Sequence, residues 1–238
     1  MTRHPVRVAA ALSLAAALAA PSVAQARDMY ATTDTGVLLR FDSRFPQVIT
    51  DRAQVTGLGA GASLVGIDFR PSTGQLVGLG SDGVVYVVNP DSGVAQAVGR
   101  PVSPGLSGSA FGVEVNPVLD ELRVTSTSGL NARLSLLTGA HAPGSPATPL
   151  NPGAPHVVAS GYTNSTFSTT RPTSTTLVAI DSASDQVLVQ NPADAGTLSD
   201  GKSLGIDIGD NTGLDVVFVP NRGDVAYMVA TPAGSTGA

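Results

Sequence analysis

The sequence predicts an all-β, propeller-like fold of about five blades, within a range of four to six, each a four-stranded antiparallel sheet. Three observations carry this expectation. The chain is rich in Gly, Val, Ser and Thr and poor in Lys, Glu and Trp, with 27 Gly and no Trp in 238 residues. Such usage suits strands and turns more than helices. After residue 26 no segment shows convincing 3.6-residue periodicity, and short apolar runs alternate with turn signals instead. Finally, a unit of about 46 residues repeats, as the shift from Leu64 to Ala110 shows.

The elements follow in order. Arg3 and Arg7 precede an apolar run from Val8 to Ala20, and Ala24-Gln25-Ala26 is a small-x-small cleavage signal. This is the pattern of a secretory signal peptide, and the run is too short to span a bilayer. Residues 1–26 are therefore read as a signal peptide and residues 27–238 as one domain, exported to the periplasm or beyond the cell. The chain has no Cys, so it cannot use the disulfides common in exported proteins. Its net charge of −5 becomes more negative by two when Arg3 and Arg7 leave. An acidic surface argues against nucleic acid or an anionic membrane as partner. The expected product is a soluble monomer.

The best copy of the repeat spans GIDFRPSTGQLVGLGSDGVVYVVNPDSG, Gly66 to Gly93. A strand ends in a Pro-Ser-Thr-Gly turn, and a second strand leads into Ser81-Asp82-Gly83, which supplies the positive φ of a tight hairpin. A third strand ends in Asn-Pro-Asp-Ser-Gly, and a fourth near Val94–Val98 completes a meander, the form of a propeller blade. Shifted by 46 positions, Leu64–Gly80 falls on Ala110–Ser126, so that Gly66 meets Gly112 and Asp68 meets Glu114. The same shift carries NPDSG onto SLLTG at Ser135–Gly139. GVLLRFDS from Gly36 repeats GVVYVVNP, TLVAIDSASD from Thr176 places Asp181 on Asn89, and TGLDVVFVPN from Thr212 places Gly213 and Asp215 on Gly66 and Asp68. The N-terminal copy begins at the second strand and the C-terminal copy stops after it. Either the termini combine into one closing blade, or the sequence is a truncated copy of a longer domain.

These segments in this order, from Met29 to about Val229, resemble the exported bacterial DUF4394 proteins, a domain of unknown function with propeller-like repeats. The resemblance implies fold and export and brings no activity. Two departures stand out: Glu114-Val115 occupies a place where Asp-Phe is more usual, and the further hairpin usual after Ala226–Ala230 is missing.

Nucleophilic catalysis lacks its parts. Beyond the leader there are two His, His141 and His156, both in Pro/Gly-rich sequence, with no G-x-S-x-G elbow and no thiol. GLGAGA (Gly57–Ala62) imitates a dinucleotide fingerprint, but a strand follows it rather than a helix, so it reads as a flexible connection between blades. Asp68, Glu114 and Asp215 recur at one blade position and could converge on the axis as oxygen ligands for Ca²⁺. Their bland reading is that each pins the turn before its Pro. DIGDNTGLD offers Asp207, Asp210 and Asn211 as a second oxygen cluster, though its spacing is not an EF-hand and a polar inter-blade loop accounts for it. The Thr-rich run from Tyr162 to Thr176 carries Tyr162, Phe167 and Arg171 and reads either as a binding loop or as a strand pair. The favoured function is a binding or interaction module for an unknown ligand or protein, with no catalytic set and no required cofactor. The alternative is a Ca²⁺-dependent hydrolase using the Asp68/Glu114/Asp215 carboxylates.

Overall fold

A computed structural model describes residues 27–234, and the signal-peptide reading of residues 1–26 lies outside the described residues. The chain is all-β, and its strands form five antiparallel sheets of two to four strands. The first sheet contains β1 (Asp28–Thr32), β2 (Val37–Asp42) and β3 (Ile49–Gln54). The second contains β4 (Leu64–Phe69), β5 (Leu76–Gly80), β6 (Val85–Val88) and β7 (Ala95–Val98). The third contains β8 (Phe111–Asn116), β9 (Glu121–Ser126) and β10 (Asn131–Ser135). The fourth contains β11 (Val157–Tyr162), β12 (Leu177–Asp181), β13 (Gln186–Gln190) and β14 (Leu198–Ser203). The fifth contains β15 (Ile208–Val219) and β16 (Gly223–Pro232).

Two sheets match the expected four-stranded blade, and three are smaller. The third sheet stops at three strands because the next segment cannot supply a fourth. Pro143, Pro146 and Pro149 have no N–H to give a ladder. That segment touches the sheet edge through the isolated bridge Leu134↔His141 and a few backbone bonds, such as Ala142 N–H to the Arg133 carbonyl. The described parts of the two ends do not combine into one blade. Among the described residues β15 pairs with β16, β1 pairs with β2, and no ladder joins the fifth sheet to the first.

The repeat appears in the turns. Asn89 Oδ1 accepts the N–H groups of Asp91 and Ser92, Ser135 Oγ accepts those of Leu137 and Thr138, and Asp181 Oδ1 accepts those of Ala183 and Ser184. Asn89 and Ser135, which coincide in the repeat, follow the third strands of their sheets and cap equivalent turns, the side chain replacing a backbone acceptor. Asp181 caps a different turn: it ends β12, the second strand of its sheet, and Asn191 after β13 holds the place of Asn89, so the expected match of Asp181 with Asn89 is one strand out.

Those turns also join the sheets. A Cβ on Gly93 would lie 2.4 Å from the Gln54 carbonyl oxygen of β3, and one on Gly139 would lie 1.9 Å from the Val98 oxygen of β7. Both glycines hold positive φ, +71° and +70°. Gly196 repeats the arrangement against Thr148 and Pro149. Each turn packs its backbone directly on the outer edge of the preceding sheet, on β3, on β7 and on the proline-rich segment beyond β10, which a side chain would forbid. The GLGAGA connection is likewise packed: a Cβ on Gly57 would meet the Ala95 oxygen at 2.3 Å.

Apolar side chains fill the spaces between sheets. Leu38, Leu76, Tyr86 and Val88 pack between the first and second sheets, and Val77, Leu79, Val113, Leu122, Val124 and Leu134 between the second and third. Val158, Ile180 and Ile208, with Leu214 and Met228, join the fourth sheet to the fifth. The third and fourth sheets share a polar contact. Arg123, 2% exposed, donates to Tyr162 Oη, Asn131 Oδ1 and Asp194 Oδ1.

Gly139→Ala places a methyl group inside the van der Waals radius of a carbonyl oxygen at a left-handed position. It should destabilise the protein by about 3 kcal/mol, combining overpacking with backbone strain. Gly74→Ala, whose added Cβ meets nothing within 4 Å at a similar φ of +73°, isolates the strain alone. Urea melts of the two variants separate the contributions.

Candidate functional site

The innermost strands β4, β8, β11 and β15 carry one equivalent position, fixed by register. Asp68 faces Val77 on β5, Glu114 faces Arg123 on β9, Gly161 faces Val178 on β12, and Asp215 faces Tyr227 on β16. Three of the four positions are carboxylates. The structure brings Asp68, Glu114 and Asp215 together: one oxygen from each lies within 4.8 Å of the others.

Each carboxylate has a defined backbone environment. Asp68 Oδ2 accepts the Val115 N–H of β8 at 2.6 Å, and Glu114 Oε1 accepts the Tyr162 N–H of β11 at 3.2 Å. The bland expectation that Asp68 and Glu114 pin their own turns gives way to a different role, a bond from one inner strand to the next. Asp215 has the Val216 amide beside it, and among the described residues no backbone N–H of another strand is bonded to its carboxylate. No Lys, Arg or His within ion-pair distance balances any of the three among the described residues.

The electrostatics follow from that geometry. Burial is the largest influence on all three and favours the neutral acid. It raises Asp68 well above the usual carboxylate range, the Asp215 charge adds to the rise, and the Val115 and Phe69 amides oppose it. Glu114 is likewise pushed well up by burial, then by Asp68 and Asp215, against the Tyr162 amide. Asp215 is raised to about 6 by burial, moderated by the Val216 amide and by the Arg27 charge.

A cavity of about 530 Å³ opens onto Asp68 and Asp215 at the seam between the fifth and first sheets. Its other walls include Arg27 and Tyr30 of the first sheet's edge, Phe69, Phe167 and Phe218. Tyr30 packs on Phe69 with ring centroids 5.2 Å apart, and Phe69 on Phe167 at 5.9 Å, both edge to face. The loop carrying Phe167 is tied over the cavity by Ser168 N–H to the Pro71 carbonyl and by Phe218 N–H to the Ser165 carbonyl.

The other sequence candidates are distributed differently. Tyr162 is not a loop residue: it ends β11, is 1% exposed and meets Arg123 in the interior. Arg171 is engaged by Asp120 Oδ2 at 2.9 Å, a carboxylate that also takes Arg70 and Ser72. Phe167, 68% exposed, is the member of that trio in the cavity wall. DIGDNTGLD is not a loop either, since Asp210 and Asn211 lie within β15. Asp210 binds Ser182 Oγ at 2.8 Å and His156 Nε2 at 3.1 Å, and Asp207 and Asp210 fall outside the three-carboxylate group. Burial raises the Asp210 carboxyl, and the His156 and Ser182 bonds outweigh it to leave it lowered. The sequence reading missed Arg27, Tyr30, Phe69 and Phe218. The repeat held a signal for Phe69, which follows Asp68 directly, but none for a seam between the first and last sheets.

A family model for the domain of unknown function DUF4394 matches residues 37–238. The chain belongs to the DUF4394 family. No curated protein matches the sequence. Among solved structures the chain is similar to BBS1N in crystals of its complex with ARL6DN, one soaked with mercury and one with lead. Both are 14% identical over 80% of this chain, with TM-scores of 0.41 and 0.42. The match spans about half of those chains, 52% and 50%. At that level the likeness carries no argument about this DUF4394 chain.

The three carboxyls give a definite pH dependence. Their folded pKa values lie above the unfolded ones, near 4. Between pH 4 and about 6 the folded chain binds more protons than the unfolded chain, so stability falls as pH rises through the Asp215 value of about 6. The decline continues upward as Asp68 and Glu114 ionise. In EDTA the melting temperature should be higher at pH 5 than at pH 8 in this respect, and Glu114→Gln should flatten the slope.

Proposed function

We propose that this DUF4394 domain is an exported, propeller-like binding module of five blades, and that Asp68, Glu114 and Asp215 hold a divalent cation of the oxygen-seeking class, Ca²⁺ first. The observation that carries the reading is three carboxylate oxygens, from three different strands, within 4.8 Å of one another. Two oxygens on one Ca²⁺ at the usual 2.3–2.6 Å are separated by at most about 5 Å, so the spacing fits a shared ion. The ion would need further oxygens, and the adjoining cavity gives water or a ligand access to supply them. Thiolate or imidazole metals fit poorly, because neither Cys nor His contributes.

Binding is favoured over the hydrolase alternative by the cavity lining. It contains no His to serve as base beside its carboxylates, and Ser165 and Thr166 belong to the covering loop. The leader supports export, and the acidic mature chain supports a soluble protein that avoids nucleic acid and anionic membranes.

Ca²⁺ at a hundredfold excess over its Kd should stabilise the native state by about 2.7 kcal/mol, a rise in Tm of about 5–10 °C for a domain of this size. Asp68→Asn with Glu114→Gln should abolish the rise, whereas Asp210→Asn should keep it. Calorimetric melts with and without 5 mM CaCl₂ decide the matter, and an unshifted wild-type melt sinks the cation reading. N-terminal sequencing of the secreted product should begin at Arg27.

A further inference from the structure

The inner strand that contributes no acid to the axis is followed by the loop that reaches across to the other three. The connections after β4, β8 and β15 are short, residues 70–75, 117–120 and 220–222, whereas the equivalent connection after β11 runs from 163 to 176. Gly161 makes β11 the inner strand without a carboxylate. The loop is tied to each strand that carries one, or to its turn. Ser168 donates its N–H to the Pro71 carbonyl, just past β4 and Asp68. Arg171 donates to the Leu119 carbonyl at 3.4 Å and to Asp120 Oδ2 at 2.9 Å, in the turn past β8 and Glu114. The Ser165 carbonyl accepts the Phe218 N–H of β15, the strand of Asp215.

The loop has a firm base and a lightly held tip. At the base, the Thr163 N–H bonds to the Thr176 carbonyl and the Thr176 N–H to Thr163 Oγ1. Thr175 Oγ1 donates to the Thr163 carbonyl at 2.6 Å, and Asn164 Nδ2 to the Ser174 carbonyl at 3.0 Å. A closed neck below a compact excursion is the form of an Ω-loop. The tip is attached at Ser165, Ser168 and Arg171, and by the edge of the exposed Phe167 ring on Phe69. Few buried contacts and exposed hydrogen bonds mark a segment that opens without global unfolding. The attachment at Arg171 is unequal. Asp120, its side chain 8% exposed, is held by Arg70 Nε and Ser72 Oγ, both at 2.8 Å, whereas the Arg171 side chain is 47% exposed. The pair joins a fixed post to a free arm. Ser165, Thr166 and Phe167 line the cavity with Asp68 and Asp215, so lifting the tip removes one of its walls.

We propose that residues 163–176 are a strap that gates entry to the cavity beside Asp68 and Asp215, with the Arg171–Asp120 pair as its latch. This rests on the reading of the three carboxylates as a binding site and adds how that site is reached. Arg171 is a positioning residue that acts through the loop.

The absence of Cys from the sequence makes a direct test possible, because one introduced thiol is then the only thiol. Val217→Cys places it in the cavity wall on β15, and Ala132→Cys, at a fully buried position of β10, reports global opening. Labelling of each by an aromatic disulfide is timed in EDTA, so that failure of the calcium reading leaves the result untouched. Arg171→Ala should speed labelling of the Val217→Cys protein about five-fold, the worth of an ion pair with one buried partner, and leave the Ala132→Cys rate unchanged. High salt, which screens an exposed pair, should shrink that five-fold difference. A Val217→Cys rate indifferent to Arg171→Ala overturns the proposal, and so does an equal rise at both thiols, which is general loosening. A difference that salt leaves untouched overturns the latch. In protein that binds Ca²⁺, stopped-flow release to excess chelator should quicken with Arg171→Ala by a similar factor, and unchanged release overturns the gate.

Discussion

A carboxylate on one inner strand accepting the backbone N–H of the next is the contact on which the arrangement around the axis depends. Sheets of two to four strands are marginal alone, and each here is held by its neighbours' faces. Apolar packing between such faces resists sliding only weakly. Asp68 on Val115 and Glu114 on Tyr162 fix the inner ends of the second, third and fourth sheets at one height. At the outer edges, Gly93 and Gly139 press turn backbone onto β3 and β7, and Gly196 presses on the Thr148–Pro149 segment. With both ends fixed, the rotation from one sheet to the next follows.

That inner contact carries an electrostatic cost. Two ionised carboxylates about 5 Å apart repel by roughly 3 kcal/mol at an effective dielectric near 20. Three such pairs, without a cation in ion-pair range among the described residues, are a large load for a protein of marginal stability. The chain can lower it by holding protons, which the raised Asp68, Glu114 and Asp215 values express, or by holding a divalent ion. Both make the centre of the fold responsive to solution conditions that scarcely touch its periphery.

Much of this was legible in the sequence, because the repeat is carried by residues with strong local chemistry. The alignment of Asn89 with Ser135, and of Asp68 with Glu114 and Asp215, could be read from spacing alone, whereas the spacing misplaces Asp181 by one strand. What failed to show was decided by tertiary context. DIGDNTGLD has the composition of a loop, yet pairing with Gly223–Pro232 draws most of it into β15. Tyr162 looks like the start of a polar loop, but its ring ends a buried strand beside Arg123. A full fourth strand for the third sheet was expected from the period, and prolines prevented it. The cavity was invisible because its walls come from the first and last sheets, and no periodicity relates residues that meet only where a repeat fails to continue.

The fourth inner position separates architecture from function. Gly161 stands where the other three strands carry acids, and there Val216 of β15 occupies the space a side chain would need, 2.7 Å from the place of its Cβ. The fourth and fifth sheets thus pack without a carboxylate bond between them, through Val158, Ile180, Ile208 and Leu214. The contact is therefore helpful to the fold but not required by it at every step. Where only an acceptor is needed, the neutral carbonyl of Asn or Gln would accept the same N–H without the repulsion of buried like charges. Three acids at the three remaining positions, converging within 4.8 Å, are thus more charge than strand-to-strand bonding demands. The excess adjoins the cavity that Asp68 and Asp215 line between the first and fifth sheets. Such a cluster is balanced by protons held on the carboxyls or by positive charge placed among them.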